Sequence, residues 1–242
     1  MNHPTLRRLL ATTLLSLLAA CGGGGSGSQT GAVQQPDVSV PPPPLTTPPA
    51  AQAVTFTPQQ ASRFLGRATF GPNMAAIDAL AASDSDAWFK AQFSKPQTLH
   101  RAYIDKLLAA EAAGGEKLTS RGFDESFWQQ SMRGEDQLRQ RIAFALSEIF
   151  VISMQNDAIQ PRVRGVAAYY DMLGQHAFGN FRNLLNDVAL HPMMGLYLSH
   201  MRNQKETATR APDENFAREV MQLFTIGLYQ LNADGSLKLA AG

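Results

Sequence analysis

One cysteine in 242 residues leaves no partner for a disulfide, so whatever folds in this chain must hold by packing alone. Charge of either sign is not in excess. With 21 Lys and Arg against 20 Asp and Glu, the formal net charge is +1, which gives no electrostatic footprint for nucleic acid. After Cys21 no apolar run approaches the roughly 20 residues that cross a bilayer. Nor does any long segment alternate apolar and polar residues with period two, which argues against a sheet protein. Three catalytic signatures are missing as well: no His-Glu-x-x-His, no glycine loop ahead of a lysine, and no nucleophile-elbow serine in the folded part.

What is present begins with an export signal. Arg7 and Arg8 give a short basic region, Leu9 to Leu18 an apolar one, and Leu18-Ala19-Ala20-Cys21 follows. A run this short that ends in small residues reads as a signal peptide over 1–20 rather than a membrane span. Its ending resembles a bacterial lipobox, which predicts lipidation of Cys21; a plain cleaved signal that ends near a cysteine is the alternative. At about 0.8 kcal/mol per buried CH₂, several acyl chains together give a stable anchor. The expected location is the cell envelope, with the membrane as partner through the lipid on Cys21. Gly22 follows the cysteine where an aspartate would retain a lipoprotein, so a Gram-negative host implies the outer membrane.

Residues 21–54 are low in complexity, with Gly22 to Gly25, Pro41 to Pro44 and Pro48-Pro49. They read as a disordered tether: a flexible glycine-serine coil, then a stiffer polyproline spacer of about 3.1 Å per residue. From residue 55 the pattern is helical. Thr57-Pro58-Gln59-Gln60 has a capping-box arrangement, Asn73 is a candidate cap, and either Asp84 or Asp86 is another. Pro96 is expected to open a helix that Gly114-Gly115 ends. Further helices are expected before Gly134, from Glu135 to about Ser153, over 161–177, over 180–190 and from Pro192 to about Met201. Arg133, Arg139 and Arg141, offset by Glu135 and Asp136, read as a solvated helix face. The predicted class is all-α: a multi-helix, bundle-like domain over 55–242. Tyr229 to Leu239, with Asp234-Gly235 at its turn, predicts a short β-hairpin near the C-terminus.

The most amphipathic stretch is 212–226, with Pro212 at its first turn and Gly227 where a left-handed cap belongs. At 100° per residue, Phe216, Ala217, Val220, Met221, Leu223 and Phe224 fill one arc. The opposite arc pairs Glu214 with Arg218, and Asn215 with Glu219, at i,i+4 spacing. Buried, Arg218 would keep a carboxylate ionised and Glu219 could serve as a base; otherwise these residues form a salt-bridge network that locks the helix to its neighbours. A second constellation is Asn183, Asp187 and His191, where the aspartate can orient an imidazole or share a metal with it, or His191 can cap a helix end.

Pro212, Glu214, Asn215, Ala217, Arg218 and Glu219, followed by Leu223-Phe224-Thr225-Ile226-Gly227, resemble the signature of the bacterial domain-of-unknown-function family 1800. Arg67 to Pro72, Gly179 to Leu185, and His191-Pro192-Met193-Met194 with Tyr197-Leu198 and Asn203 resemble it too, covering about residues 58–235. Many relatives have Phe-Trp-His-x-His-Phe at a place where Ser147 and Ile149 stand here. The resemblance therefore carries no metal site over to this chain, and no cofactor is expected. Glu148 remains there, with Arg141 or Arg218 as its expected partner. Relatives also continue well past Gly242, which makes an incomplete domain the expectation, with apolar helix faces left exposed. The resulting reading is an envelope lipoprotein with a helical binding or scaffolding module and an unidentified envelope protein as its partner. The alternative is a hydrolase of an envelope polymer, with Glu214, Arg218, Glu219, Asp187 and His191 converging in one cleft. Catalytic residues are unassigned beyond these candidates.

Overall fold

In a computed structural model, residues 53–238 are described; the expected signal peptide, Cys21 and nearly all of the expected tether lie outside them. Among the described residues run ten α-helices. They are α1 (Pro58–Ala68), α2 (Met74–Ala81), α3 (Ser85–Ser94), α4 (His100–Ala112), α5 (Arg121–Arg133), α6 (Gln137–Ser147), α7 (Val163–Gln175), α8 (Phe181–Leu190), α9 (Pro192–Tyr197) and α10 (Asn215–Met221). A π-helical turn, Gln222–Ile226, extends α10. None of the helices is long and apolar enough to cross a membrane.

Most helix starts follow local chemistry. The Thr57 hydroxyl accepts from the Gln60 amide while the Gln60 side chain accepts from the Thr57 N–H, closing the capping box. Asn73, Asp84 and Asn180 likewise accept amides at the starts of α2, α3 and α8. Pro58 and Pro192 each occupy a first turn, where the missing N–H costs nothing. Gly114 follows α4 at φ +91°, a left-handed conformation that glycine adopts without strain.

Where the boundaries differ from expectation, the cause is tertiary. Helix α4 starts at His100 rather than Pro96. The residue before it, Leu99, has no side-chain oxygen, and the Asp171 carboxylate of α7 caps the helix instead. Asp171 accepts from the His100 N–H at 2.7 Å and the Arg101 N–H at 2.9 Å. Helix α6 stops at Ser147, six residues early, and the chain then turns Phe150 fully into the core. There its carbonyl accepts from the buried Tyr169 hydroxyl at 2.8 Å. Helix α10 starts at Asn215, not Pro212. The Asp213 side chain accepts from the Asn215 N–H, and Asn203 clamps the Asp213 backbone.

The π turn also upsets the expected apolar arc. One extra residue per turn breaks the 100° step after Met221. Phe224 stays in the core at 6% exposure, while Leu223 and Ile226 face water at 64% and 78%. Gly227 does take a positive φ of +72°, but its ψ of −172° is extended rather than left-handed helical. The expected C-terminal hairpin is not formed among the described residues. A single antiparallel bridge, Leu231 to Leu237, closes the turn at Asp234-Gly235, and no strand flanks it.

Two apolar clusters hold the helices. The smaller joins Ala61 and Leu65 of α1 to Ile77 and Leu80 of α2, with Phe56, Phe64 and Trp88 against them. The larger is built around α7, which touches α4, α5, α6 and α9. Tyr169 and Leu173 of α7, Ile104 of α4 and Val188 of α8 are completely buried in it. At about 1.5–3 kcal/mol for each fully buried large aliphatic side chain, this cluster is the main stabilising region.

Candidate functional site

The residues singled out by sequence do not share one site. Glu214 and Arg218 do approach, at 3.5 Å, but their side chains are 77% and 61% exposed. Asn215 is exposed, Glu219 is half-buried, and no hydrogen bond joins them. The polar face of α10 thus looks out to water and does not lock the helix to its neighbours. Asp187 is engaged elsewhere. Its carboxylate meets His176 Nε2 at 2.6 Å and accepts from the Asn186 amide at 3.3 Å, contacts that hold it below the usual carboxylate range.

His191 is half-buried with its ring edge against Tyr169. Its Nδ1 accepts from the Met193 N–H at 3.2 Å, so it caps the start of α9 rather than the carbonyls of α8. Burial lowers its pKa, in keeping with a neutral acceptor nitrogen. Asn183 is exposed. Among the described residues no hydrogen bond or ion pair links Asp187 or His191 to Glu214, Arg218 or Glu219. Glu148 is exposed and pairs with neither Arg141 nor Arg218; the Arg141 guanidinium lies over the rings of Phe70 and Phe144. No group of three or more His, Cys, Asp or Glu among the described residues could hold a metal ion.

The chemistry that is brought together lies where the start of α4 meets α5 and α6. Asp136 is fully buried, and its carboxylate accepts from the Thr98 N–H at 2.9 Å, the Thr98 hydroxyl at 2.7 Å and the Gln140 amide at 3.0 Å. This departs from the expected solvated face. Arg139 too is half-buried, donating to the Gly174 carbonyl at 3.0 Å beneath Phe178. Glu135 reaches away from both to Lys95 at 3.0 Å. A buried carboxylate is tolerable when its oxygens are bonded in this way.

Beyond Asp136 the bonds continue. The Gln140 amide nitrogen donates to Asp136 and to the Thr98 carbonyl. His100 Nδ1 and the Ser126 hydroxyl share a hydrogen bond at 3.0 Å, whose direction follows the imidazole tautomer. Ser126 in turn accepts from the Gln130 amide nitrogen at 3.1 Å. His100, 3% exposed, is driven down to about 4 by burial, against the opposing pull of Asp136 and the bond to Gln140. Ser126, His100 and Asp136 are a nucleophile, a base and a carboxylate, yet Ser126 is 0% exposed and no hydrogen bond joins His100 to Asp136 among the described residues. The set is an ordered internal chain rather than a reactive triad.

Two cavities flank this chain. One of about 300 Å³ has Thr98, Gln130, Gly134 and Glu135 in its wall. The other, of about 630 Å³, runs between α4 and α7 past Asp171. Burial pushes Asp171 up to about 6, even though the Arg101 and His100 amides favour its charged form.

The family described as a protein of unknown function (DUF1800) matches residues 63–235, most of the chain. The chain belongs to the DUF1800 family. No curated protein and no solved structure matches it. In this DUF1800 domain the matched stretch contains all of the chain from Thr98 to Gln140. Sequence reasoning did not find these residues, nor His176. Two cues were there. Ser126 and Gln130 are i,i+4 and continue the buried face that Phe123 begins, and Asp136 and Gln140 are i,i+4 across the first turn of α6. Their link, His100, lies 26 residues from Ser126 and no spacing announces it.

Proposed function

We propose that this DUF1800 protein is a lipid-anchored component of the cell envelope whose helical domain binds a partner or ligand rather than catalysing a reaction. The observation that carries the location is the single cysteine, which stands where an apolar signal ends in Leu18-Ala19-Ala20-Cys21. In this reading residues 1–20 are removed, Cys21 carries the lipid, and the stretch to residue 54 sets the domain off the membrane; the outer membrane is the destination in a Gram-negative cell. The assignment to binding rests on the ionisable groups. His100, Asp136, Asp171, His176, Asp187 and His191 are each taken up by a cap or an internal bond. The competing hydrolase needs several of them to face one cleft.

Cys21→Ser tests the anchor. The wild type should partition into the detergent phase and the variant into the aqueous phase. A variant that still requires detergent to leave the membrane fraction would remove the basis for the anchor.

A further inference from the structure

A third cavity, of about 340 Å³, lies between α5, α6, α7 and the connection from α6 to α7. Four aromatic side chains line it: Phe123 and Phe127 from α5, Phe144 from α6 and Tyr170 from α7. Phe123 and Phe127 are four residues apart, so one flank of α5 presents both. Phe123 packs on Tyr170 with ring centroids 4.7 Å apart, and Phe127 on Phe144 at 5.8 Å. Phe127, Phe144 and Tyr170 are only half-buried, which leaves ring surface at the cavity. Ile152 to Gln155 complete the wall, in a loop pinned at both ends by Phe150 and Ile159, each 0% exposed.

That wall carries one charge, and it is negative. Asp124 lies three residues before Phe127 on α5, hence beside it. It is exposed and its side chain has no ion pair or hydrogen bond among the described residues, since Arg121 is held by Glu125 at 3.1 Å. No Lys, Arg or His lines the cavity. The Tyr170 hydroxyl, also in the wall, makes no hydrogen bond among the described residues. One ring of the set already holds a cation. Arg141, which does not line the cavity, lies over Phe144 at 5.5 Å and over Phe70 at the same distance. A ligand's positive charge therefore belongs beside Asp124, at Phe123, Phe127 and Tyr170, rather than on Phe144.

We propose that this cavity binds a small organic ammonium ion with an apolar body. The body displaces water from Ile152, Met154 and Val166, and the cationic head lies against the rings with Asp124 as its counter-charge. Aromatic rings attract a cation through their quadrupole, and a carboxylate at the same rim repels an anion of the same shape. A volume near 340 Å³ is at the small end for ligand sites, which suits a body the size of one phenyl ring. This names the ligand class of the binding module proposed above and rests on that reading.

Isothermal titration calorimetry on the full chain in detergent, with micelles alone as the blank, tests it. The probes share one shape and differ in charge: phenethylammonium, 2-phenylethanol and phenylacetate. The ammonium should bind about tenfold more tightly than the alcohol, and phenylacetate more weakly still. Asp124→Asn, a change on an exposed side chain, should weaken the ammonium about threefold and leave the alcohol unchanged. Phe127→Leu, which keeps an apolar side chain and removes one ring, should narrow the gap between ammonium and alcohol. Alcohol or phenylacetate binding as tightly as the ammonium, or ammonium binding unchanged in both variants, overturns the cation while leaving a cavity that binds. No binding of any probe to the wild type overturns the site itself. Either failure leaves the Cys21→Ser partition result standing, so the two readings fail separately.

Discussion

Two regions of this protein use the same local device and gain different things from it. At the joint of α4, α5 and α6, Ser126 with Gln130 and Asp136 with Gln140 are polar pairs at i,i+4. Glu214 with Arg218, bracketing the start of α10, is another. The first two pairs are buried to within 6% of complete, whereas the third keeps more than half of each side chain in water. Spacing shows that two side chains can touch; burial decides how much the contact matters. An exposed ion pair contributes about 0–1 kcal/mol, while stranding a buried polar partner costs about 1–3 kcal/mol, and more for a charge.

The sharpest way to break this contrast is Asp136→Ala. It strands the Thr98 N–H and hydroxyl and the Gln140 amide together. The expected loss is about 3 kcal/mol or more, or a fall in Tm of roughly 6–12 °C for a domain of this size. A fall below about 2 °C in differential scanning calorimetry would mean that the joint holds nothing together, since 1 kcal/mol already moves Tm by that much.

The next effect is in pH dependence, where His100 and Asp171 oppose each other at the start of α4. The His100 pKa falls from 6.5 to about 4 on folding, so the unfolded chain binds the extra proton and stability drops as pH falls through that window. The Asp171 pKa rises from 3.8 to about 6, so the folded chain binds the extra proton and stability drops as pH rises through that window. Relative to wild type, Asp171→Asn should therefore gain stability as pH rises from about 4 to 6, and His100→Gln should lose it. Melting curves at pH 4, 5 and 6 decide the point; parallel profiles for the two variants would show that neither group titrates differently in the fold.

The smallest effect belongs to the exposed pair. Arg218→Ala should change stability by no more than about 0.5 kcal/mol, within roughly 2 °C of Tm. A clearly larger drop would return α10 to the structural role that its residue pattern invites.

Helices with a cap of their own were legible in the sequence: Thr57 to Gln60, Asn73, and Asn180 and Pro192 at the openings of α8 and α9 act where they stand, and of Asp84 and Asp86, both open for α3, it is Asp84 that caps. The start of α4 was not, because its cap arrives from Asp171, about 70 residues away. The end of α10 was not legible for a related reason: a π turn departs from the 100° step on which an apolar arc depends. At the candidate site, Asp187 was recognised as the residue to orient an imidazole, but the imidazole is His176, across the joint between α7 and α8, and not His191. Residues four apart on one helix declare themselves. Residues that meet across a turn do not.

By itself the sequence determined the helical class, the family, and most of the points where helices begin, because periodicity and capping act over a few neighbouring residues. It also carries the short apolar stretch ending in a lone cysteine on which the proposed envelope location rests. Tertiary structure alone decided which polar residues would be buried, and hence that Asp136, His100 and Gln130 form the ordered interior while Glu214 and Arg218 remain in water. The reason is that the cost of removing a charge or an amide from water depends on everything packed around it, and those neighbours come from helices far apart in the chain.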